Sequence, residues 1–143
     1  MKYRLTWIIT LMFSTILFMC ACTPKPTEQT AIGLPNPASQ NCEKVGGVLT
    51  IEKAGNGGEF GVCTFEDNRQ CEEWALFRGD CPQGGVKVTG YITTAARFCA
   101  ISGGEYAITG NSGAEDEQGT CTFKNGKTCD VWQFFNMECN ANE

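Results

Sequence analysis

Ten cysteines and no histidine bound the chemistry open to this 143-residue chain. Three cysteines fall in "CTFEDNRQCEEWALFRGDC" (Cys63 to Cys81) and three more in "CTFKNGKTCDVWQFFNMEC" (Cys121 to Cys139). As zinc ligands they are poorly spaced: seven and nine residues intervene, and there is no C-x-x-C pair. Redox thiols also favour a close pair at a helix start. Cys71 stands at the start of an expected helix, but its nearest cysteines are far along the chain. Without histidine, neither Ser-His-Asp nor Cys-His machinery can be assembled. Glu72-Glu73 could form an acid–base pair, yet the second stretch has Asp130 and Val131 there. Acids facing the positive end of a helix dipole are the simpler reading. The loop "GNSGAEDEQG" (110–119) gathers Glu115, Asp116 and Glu117, which could hold calcium weakly. Their spacing is not that of an EF-hand, and a solvated hairpin tip is expected. Trp74 and Trp132 could line a ligand surface, but their repetition points to core packing, with Phe77 and Phe135 alongside. No catalytic residue, metal site or cofactor is expected.

The elements that hold these residues are themselves doubled. Cys42, Cys63, Cys71 and Cys81 recur as Cys99, Cys121, Cys129 and Cys139, displaced by 57 and then 58 residues. Asn36 and Pro37 suit the start of a short helix, as does Thr93 in the second copy, and each helix closes at a Gly-Gly pair. "VLTIEK" alternates and leads through "AGNGGE" to "FGVCTF", a hairpin pattern. A turn then opens a second helix, with Trp74, Phe77 and Cys81 at helical spacing. The expected fold is α+β: two tandem disulfide-stapled α-β-β-α units, repeat 1 over 36–81 and repeat 2 over 93–139, with a linker at 82–92. Units this small need staples. If the helix begins at Cys71, its ten-residue rise separates Cys71 from Cys81 by roughly 15 Å, beyond the ~7 Å that a disulfide spans. That excludes Cys71–Cys81 and with it Cys42–Cys63. A two-residue turn at Asn125-Gly126 would set Cys121 and Cys129 on opposite faces. This favours Cys42–Cys71 with Cys63–Cys81, and Cys99–Cys129 with Cys121–Cys139. Cys42–Cys81 with Cys63–Cys71 is the alternative.

Ahead of the repeats, Lys2 and Arg4 precede an apolar run, Leu5 to Met19, too short for a confident transmembrane helix. Residues 1–21 are expected to be a secretory signal. Ala21-Cys22 resembles the lipobox of bacterial lipoproteins, which implies cleavage before Cys22 and its acylation. Cys20 competes for that role, but Met19 suits the cleavage pocket less well than Ala21. Parity agrees, since setting aside Cys20 and Cys22 leaves eight cysteines, an even set. Residues 22–35 hold three prolines and form a tether. Without Lys2 and Arg4 there are 16 acidic residues against 9 basic ones. Such a balance disfavours nucleic acid and anionic lipid heads as partners. Membrane attachment is therefore expected through the N-terminal lipid. Thr23 after Cys22 favours the outer membrane if the host is Gram-negative.

The pattern N-P-A-S, C-x-x-x-G-G, G-x-C-x-F and C-E-E-W-A-x-F-R-G-x-C resembles a small bacterial cysteine-rich domain of unknown function. That domain is often labelled a haemolysin and occurs in secreted and lipid-anchored proteins. Repeat 2 departs from it at Asn136-Met137, where repeat 1 has Arg78-Gly79, which marks Arg78 and Gly79 as a candidate surface site. The resemblance implies a fold unit and an envelope location but no catalytic residues. A non-enzymatic binding or structural module is expected. A protease inhibitor, loosely similar to Kazal inhibitors in its cysteine order, and a haemolytic effector are the alternatives.

Overall fold

A computed structural model describes residues 36–141. The expected signal segment, the lipidation site at Cys22 and the tether at 22–35 lie outside them. The fold is α+β with antiparallel sheets. Repeat 1 runs α1 (Pro37–Lys44), β1 (Val48–Lys53), β2 (Glu59–Thr64), β3 (Arg69–Glu72) and α2 (Glu73–Arg78). A short strand β4 (Val86–Lys87) follows. Repeat 2 runs α3 (Thr94–Ile101), β5 (Glu105–Gly110), β6 (Gln118–Thr122), β7 (Thr128–Asp130) and α4 (Val131–Phe135). One sheet is ordered β1-β2-β3-β4, the other β5-β6-β7.

Local chemistry starts the helices. Asn36 accepts from the Ala38 N–H at 2.9 Å, with Pro37 at the first helical position. Thr93 Oγ1 accepts from Ala96 N at 3.0 Å and caps α3 in the same way. Each repeat holds one more strand than the α-β-β-α expectation, because Arg69–Glu72 and Thr128–Asp130 pair with the preceding hairpin strand. That extra strand displaces the helix start from Cys71 to Glu73.

The displacement overturns the expected disulfide pairing. The bonds are Cys42–Cys63, Cys71–Cys81, Cys99–Cys121 and Cys129–Cys139. Cys71 lies on a strand, and α2 has only six residues. Gly79 then takes a left-handed φ of 81°, and both Asp80 N–H and Cys81 N–H return to the Ala75 carbonyl. The chain folds back, leaving the Cα atoms of Cys71 and Cys81 5.9 Å apart. The opposite-face argument fails too. Phe123 N–H donates to the Lys127 carbonyl, so the loop has three residues, Lys124 to Gly126, rather than two. The odd loop places Cys121 directly across from Cys129, as Cys63 faces Cys71. Each of these strand cysteines then reaches a different helical or post-helical partner.

The repeats share one core. Ala54, Phe60 and Val62 of repeat 1 pack into a cluster with Phe98, Ile101, Phe123, Val131 and Phe134 of repeat 2. A second, smaller cluster around Cys42, Cys63, Cys71, Cys81, Ala75 and Leu76 belongs to repeat 1. Polar ties reinforce the junction. Arg97 on α3 pairs with Glu52 on β1 and donates to Gln70 Oε1 on β3 at 2.9 Å, while Lys124 Nζ donates to the Gly79 carbonyl at 3.1 Å.

Candidate functional site

The junction of the repeats leaves an open groove of about 400 Å³. Its repeat 1 wall comes from β2, β3 and α2, with Phe60, Glu72, Glu73, Trp74 and Arg78; Glu59 also lines it. The facing wall comes from α3, α4 and the segment after α4, with Phe98, Ser102, Phe134, Met137, Cys139, Asn140 and Ala141. Three of the aromatic rings stack in series: Phe60 to Phe98 at 4.6 Å between centroids and Phe98 to Phe134 at 4.9 Å.

The two carboxylates expected at a helix start play separate parts. Glu72 is the N-cap of α2: Oε1 accepts from Trp74 N–H at 3.1 Å and Oε2 from Ala75 N–H at 2.7 Å. Asp130 does the same for α4, accepting from Trp132 N–H and Gln133 N–H at 3.0 Å each. Glu73, 5% exposed, instead reaches α1, accepting from Asn36 Nδ2 at 3.0 Å and Ser39 Oγ at 2.6 Å. Gly61 opens the room for it, since a Cβ there would lie 2.5 Å from the Glu73 carboxyl carbon. Val131 fills the corresponding place in repeat 2.

Burial pushes the Glu72 carboxyl above its ordinary value of 4.5; the two capping N–H groups and Arg78 pull it back down only in part, and Glu73 adds to the rise. A carboxyl raised on folding lends stability below its unfolded pKa, and that contribution is lost as pH climbs through the folded pKa. Glu72→Gln keeps one capping oxygen and never ionises. Its urea midpoint should match the parent near pH 4 and exceed it at pH 7; a difference independent of pH would contradict this.

Of Arg78 and Gly79, only Arg78 reaches the groove. Arg78 lines the groove, and its Nε donates to Asp80 Oδ2 at 2.9 Å. Gly79 serves the turn that ends α2, and a Cβ there would meet nothing within 4 Å. Met137 adopts the same left-handed turn in repeat 2, at φ 59°, so the departure at Asn136-Met137 keeps the backbone path. The aromatic residues expected in the core divide. Trp74, at the groove, is 39% exposed and Phe77 48% exposed, in an edge-to-face pair 5.9 Å apart on α2. Trp132 and Phe135 are partly buried against the shared core, and Trp132 Nε1 donates to the Glu117 carbonyl at 3.0 Å. The exposed pair results from the arrangement of the repeats: α4 lies against the first hairpin, where Gly55 N–H meets the Phe135 carbonyl.

The 110–119 loop is tied from within. Glu117 is 2% exposed and accepts from Tyr106 Oη at 2.9 Å and Gly113 N–H at 2.8 Å, whereas a solvated tip was expected of all three acids. Burial, then the bond to Glu117 and its charge, pushes the Tyr106 hydroxyl up to about 12. Asp116 Oδ2 accepts from Asn111 Nδ2 at 2.9 Å. Among the described residues, no three His, Cys, Asp or Glu side chains converge in a group that could hold a metal ion.

Sequence reasoning missed Phe60, Phe98 and Ser102. A signal existed for the two rings: where repeat 1 has Phe60, repeat 2 has Gln118, and where repeat 2 has Phe98, repeat 1 has Asn41. A ring present in only one copy marks the face that meets the other. Ser102 gave no such sign. Its hydroxyl is buried and, among the described residues, is the buried side-chain polar atom without a hydrogen-bond partner.

Residues 33–80 and 90–138 each match the domain of unknown function DUF333. The chain is similar to the uncharacterized protein YoaF of Escherichia coli strain K12, 31% identical over 81 residues that cover 54% of this chain and 95% of that one. It is also similar to the uncharacterized protein YdbJ of the same strain, 30% identical over 74 residues that cover 46% of this chain and 84% of that one. No solved structure matches it. Matched twice across its folded part, the chain belongs to the DUF333 family.

Proposed function

We propose that this protein is a lipid-anchored component of the bacterial envelope that acts as a non-enzymatic binding module, with the groove between its repeats as the binding face. The observation that carries the reading is the groove itself: an open aromatic cleft whose wall includes an unpartnered buried hydroxyl. Concave sites with aromatic linings and a few polar groups are the usual places for small ligands. A non-catalytic role is supported by the engagement of the buried carboxylates, since Glu72 caps a helix, Glu73 ties α2 to α1 and Glu117 closes a loop. The lipid anchor is supported by Ala21-Cys22 after an apolar run, and by the pairing of all eight cysteines from Cys42 to Cys139. Thr23 supports outer-membrane sorting if the host is Gram-negative, and the acidic balance supports a protein without nucleic-acid partners.

The test has two arms. Cells expressing the full chain are fed radiolabelled palmitate; label should enter the parent and the Cys20→Ala variant but not Cys22→Ala. Purified full chain is then screened by NMR against small amines, acids, alcohols and sugars. Saturable shifts confined to groove residues are expected for one class. Label persisting in Cys22→Ala removes the proposed anchor, and a screen in which no compound shifts the groove removes the binding module.

A further inference from the structure

We propose that the groove takes a small organic ammonium ion, held between aromatic rings and buried carboxylates; the inference rests on the groove being the binding face.

Charge decides the class of ligand. Glu59, Glu72 and Glu73 line the groove against a single cation, Arg78, and that cation is already engaged by Asp80. The excess is negative, and Glu72 and Glu73 are buried, where Coulomb attraction is less screened than in bulk water. Glu72 and Glu73 accept two hydrogen bonds apiece from the protein. An ionised carboxylate offers about four lone-pair sites, so each keeps acceptor capacity for an N–H donor. Aromatic rings add attraction specific to cations, because the negative face of a ring draws an ammonium group. Phe60, Trp74 and Phe98 supply such rings on both walls.

Ser102 points to a ligand independently of the acids. It is only 9% exposed, it lines the groove, and its hydroxyl has no partner. Buried polar groups are almost always hydrogen-bonded. The oxygen itself is buried, so a turn of the serine side chain toward the groove is what would let a primary ammonium donate to it. A carboxylate ligand could accept from it but would meet the repulsion of the three acids. A hydrocarbon would leave it unmet.

The experiment uses the full chain, purified from membranes in detergent with its disulfides formed. n-Butylammonium, n-butanol and butyrate, alike in carbon chain and different in charge, are titrated while backbone amides are followed by NMR. Saturable shifts at Trp74, Phe98 and Ser102 are expected with butylammonium, with affinity at least five-fold above that for butanol. Butyrate should give no saturable shift. Glu59→Gln, and Ser102→Ala, which removes only a hydroxyl that caps nothing, should each weaken butylammonium at least two-fold. Equal or tighter binding of butanol or butyrate in the groove overturns the ammonium inference while leaving the binding face intact. Butylammonium shifts that never saturate, or that move only the 110–119 loop, overturn the inference as well. If no probe moves the groove and the wider screen is also silent, both readings fail.

Discussion

Phe98→Ala is expected to destabilise the whole folded unit by about 3–5 kcal/mol, the range for truncating a buried Phe. Phe98 is 3% exposed and sits at the centre of the ring series, 4.6 Å from Phe60, 4.9 Å from Phe134 and 5.8 Å from Phe135. Phe60 belongs to repeat 1 and the other two to repeat 2, so the cavity opens in the core that both share. Loss should therefore fall on both repeats at once. Urea unfolding followed by backbone amide signals from β2 and β6 separately should give coincident transitions, both at lower urea than in the parent. Separate transitions, with β2 unshifted, would show two independently folded repeats and refute the shared core. Asn41 occupies the matching place on α1. Asn41→Ala should stay within ~0.5 kcal/mol of the parent, as surface changes generally do. The contrast also explains why a repeat of this size has a partner. Repeat 1 spends its Phe60 on the junction, repeat 2 its Phe98, and the matching outward positions are Gln118 and Asn41. The pair thus presents polar residues where a third repeat would have to dock, as terminal repeats of an array do.

Much of the fold was legible because its signals are local. Asn36-Pro37 and Thr93 mark helix starts through hydrogen bonds within one turn, and the alternation of "VLTIEK" needs no distant partner to be seen. The third strand of each repeat was not legible. "RQCE" is short and polar, and only pairing with β2 and β4 makes it a strand. One misplaced helix start then propagated. A helix that began at Cys71 would exclude Cys71–Cys81, but the strand at Arg69–Glu72 removes that premise. The groove is non-local in the same way: its walls come from residues as far apart as Phe60 and Ala141. Arg78 was singled out because the copies differ there, and it does reach the groove's edge. The same comparison applied to apolar positions would have found Phe60 and Phe98. Nothing local could have announced Ser102, whose significance lies wholly in what fails to meet its hydroxyl.

The second glycine of each Gly-Gly pair gives the other large effect, and its sign separates two mechanisms. Gly47 and Gly104 follow the first helix of each repeat, and neither has a positive φ. On backbone grounds alone, Gly104→Ala should stabilise by about 0.4–1 kcal/mol, through lost freedom in the unfolded chain. The disulfide forbids it. A Cβ at Gly104 would lie 2.3 Å from Cys121 Sγ and 2.9 Å from Cys99 Sγ; at Gly47 the distances to Cys63 Sγ and Cys42 Sγ are 2.2 and 2.9 Å. A flexible side chain could swing aside, but a sulfur bonded at both ends and fully buried cannot. Gly104→Ala should therefore cost about 1–3 kcal/mol, the overpacking range. Removing the bond by Cys99→Ala with Cys121→Ala should cost more, about 2–5 kcal/mol. The decisive measurement is the cycle that joins them. Once both sulfurs are gone the closest contact left is the Cys99 carbonyl oxygen at 3.2 Å, and adding Gly104→Ala to the variant that lacks this one disulfide should be near neutral or stabilising. A penalty of the same size in both backgrounds would mean that the glycine serves something other than the bond. A reversal of sign would establish that the glycine pair and the disulfide are one device: the helix ends where it does so that the strand cysteine can reach back to it.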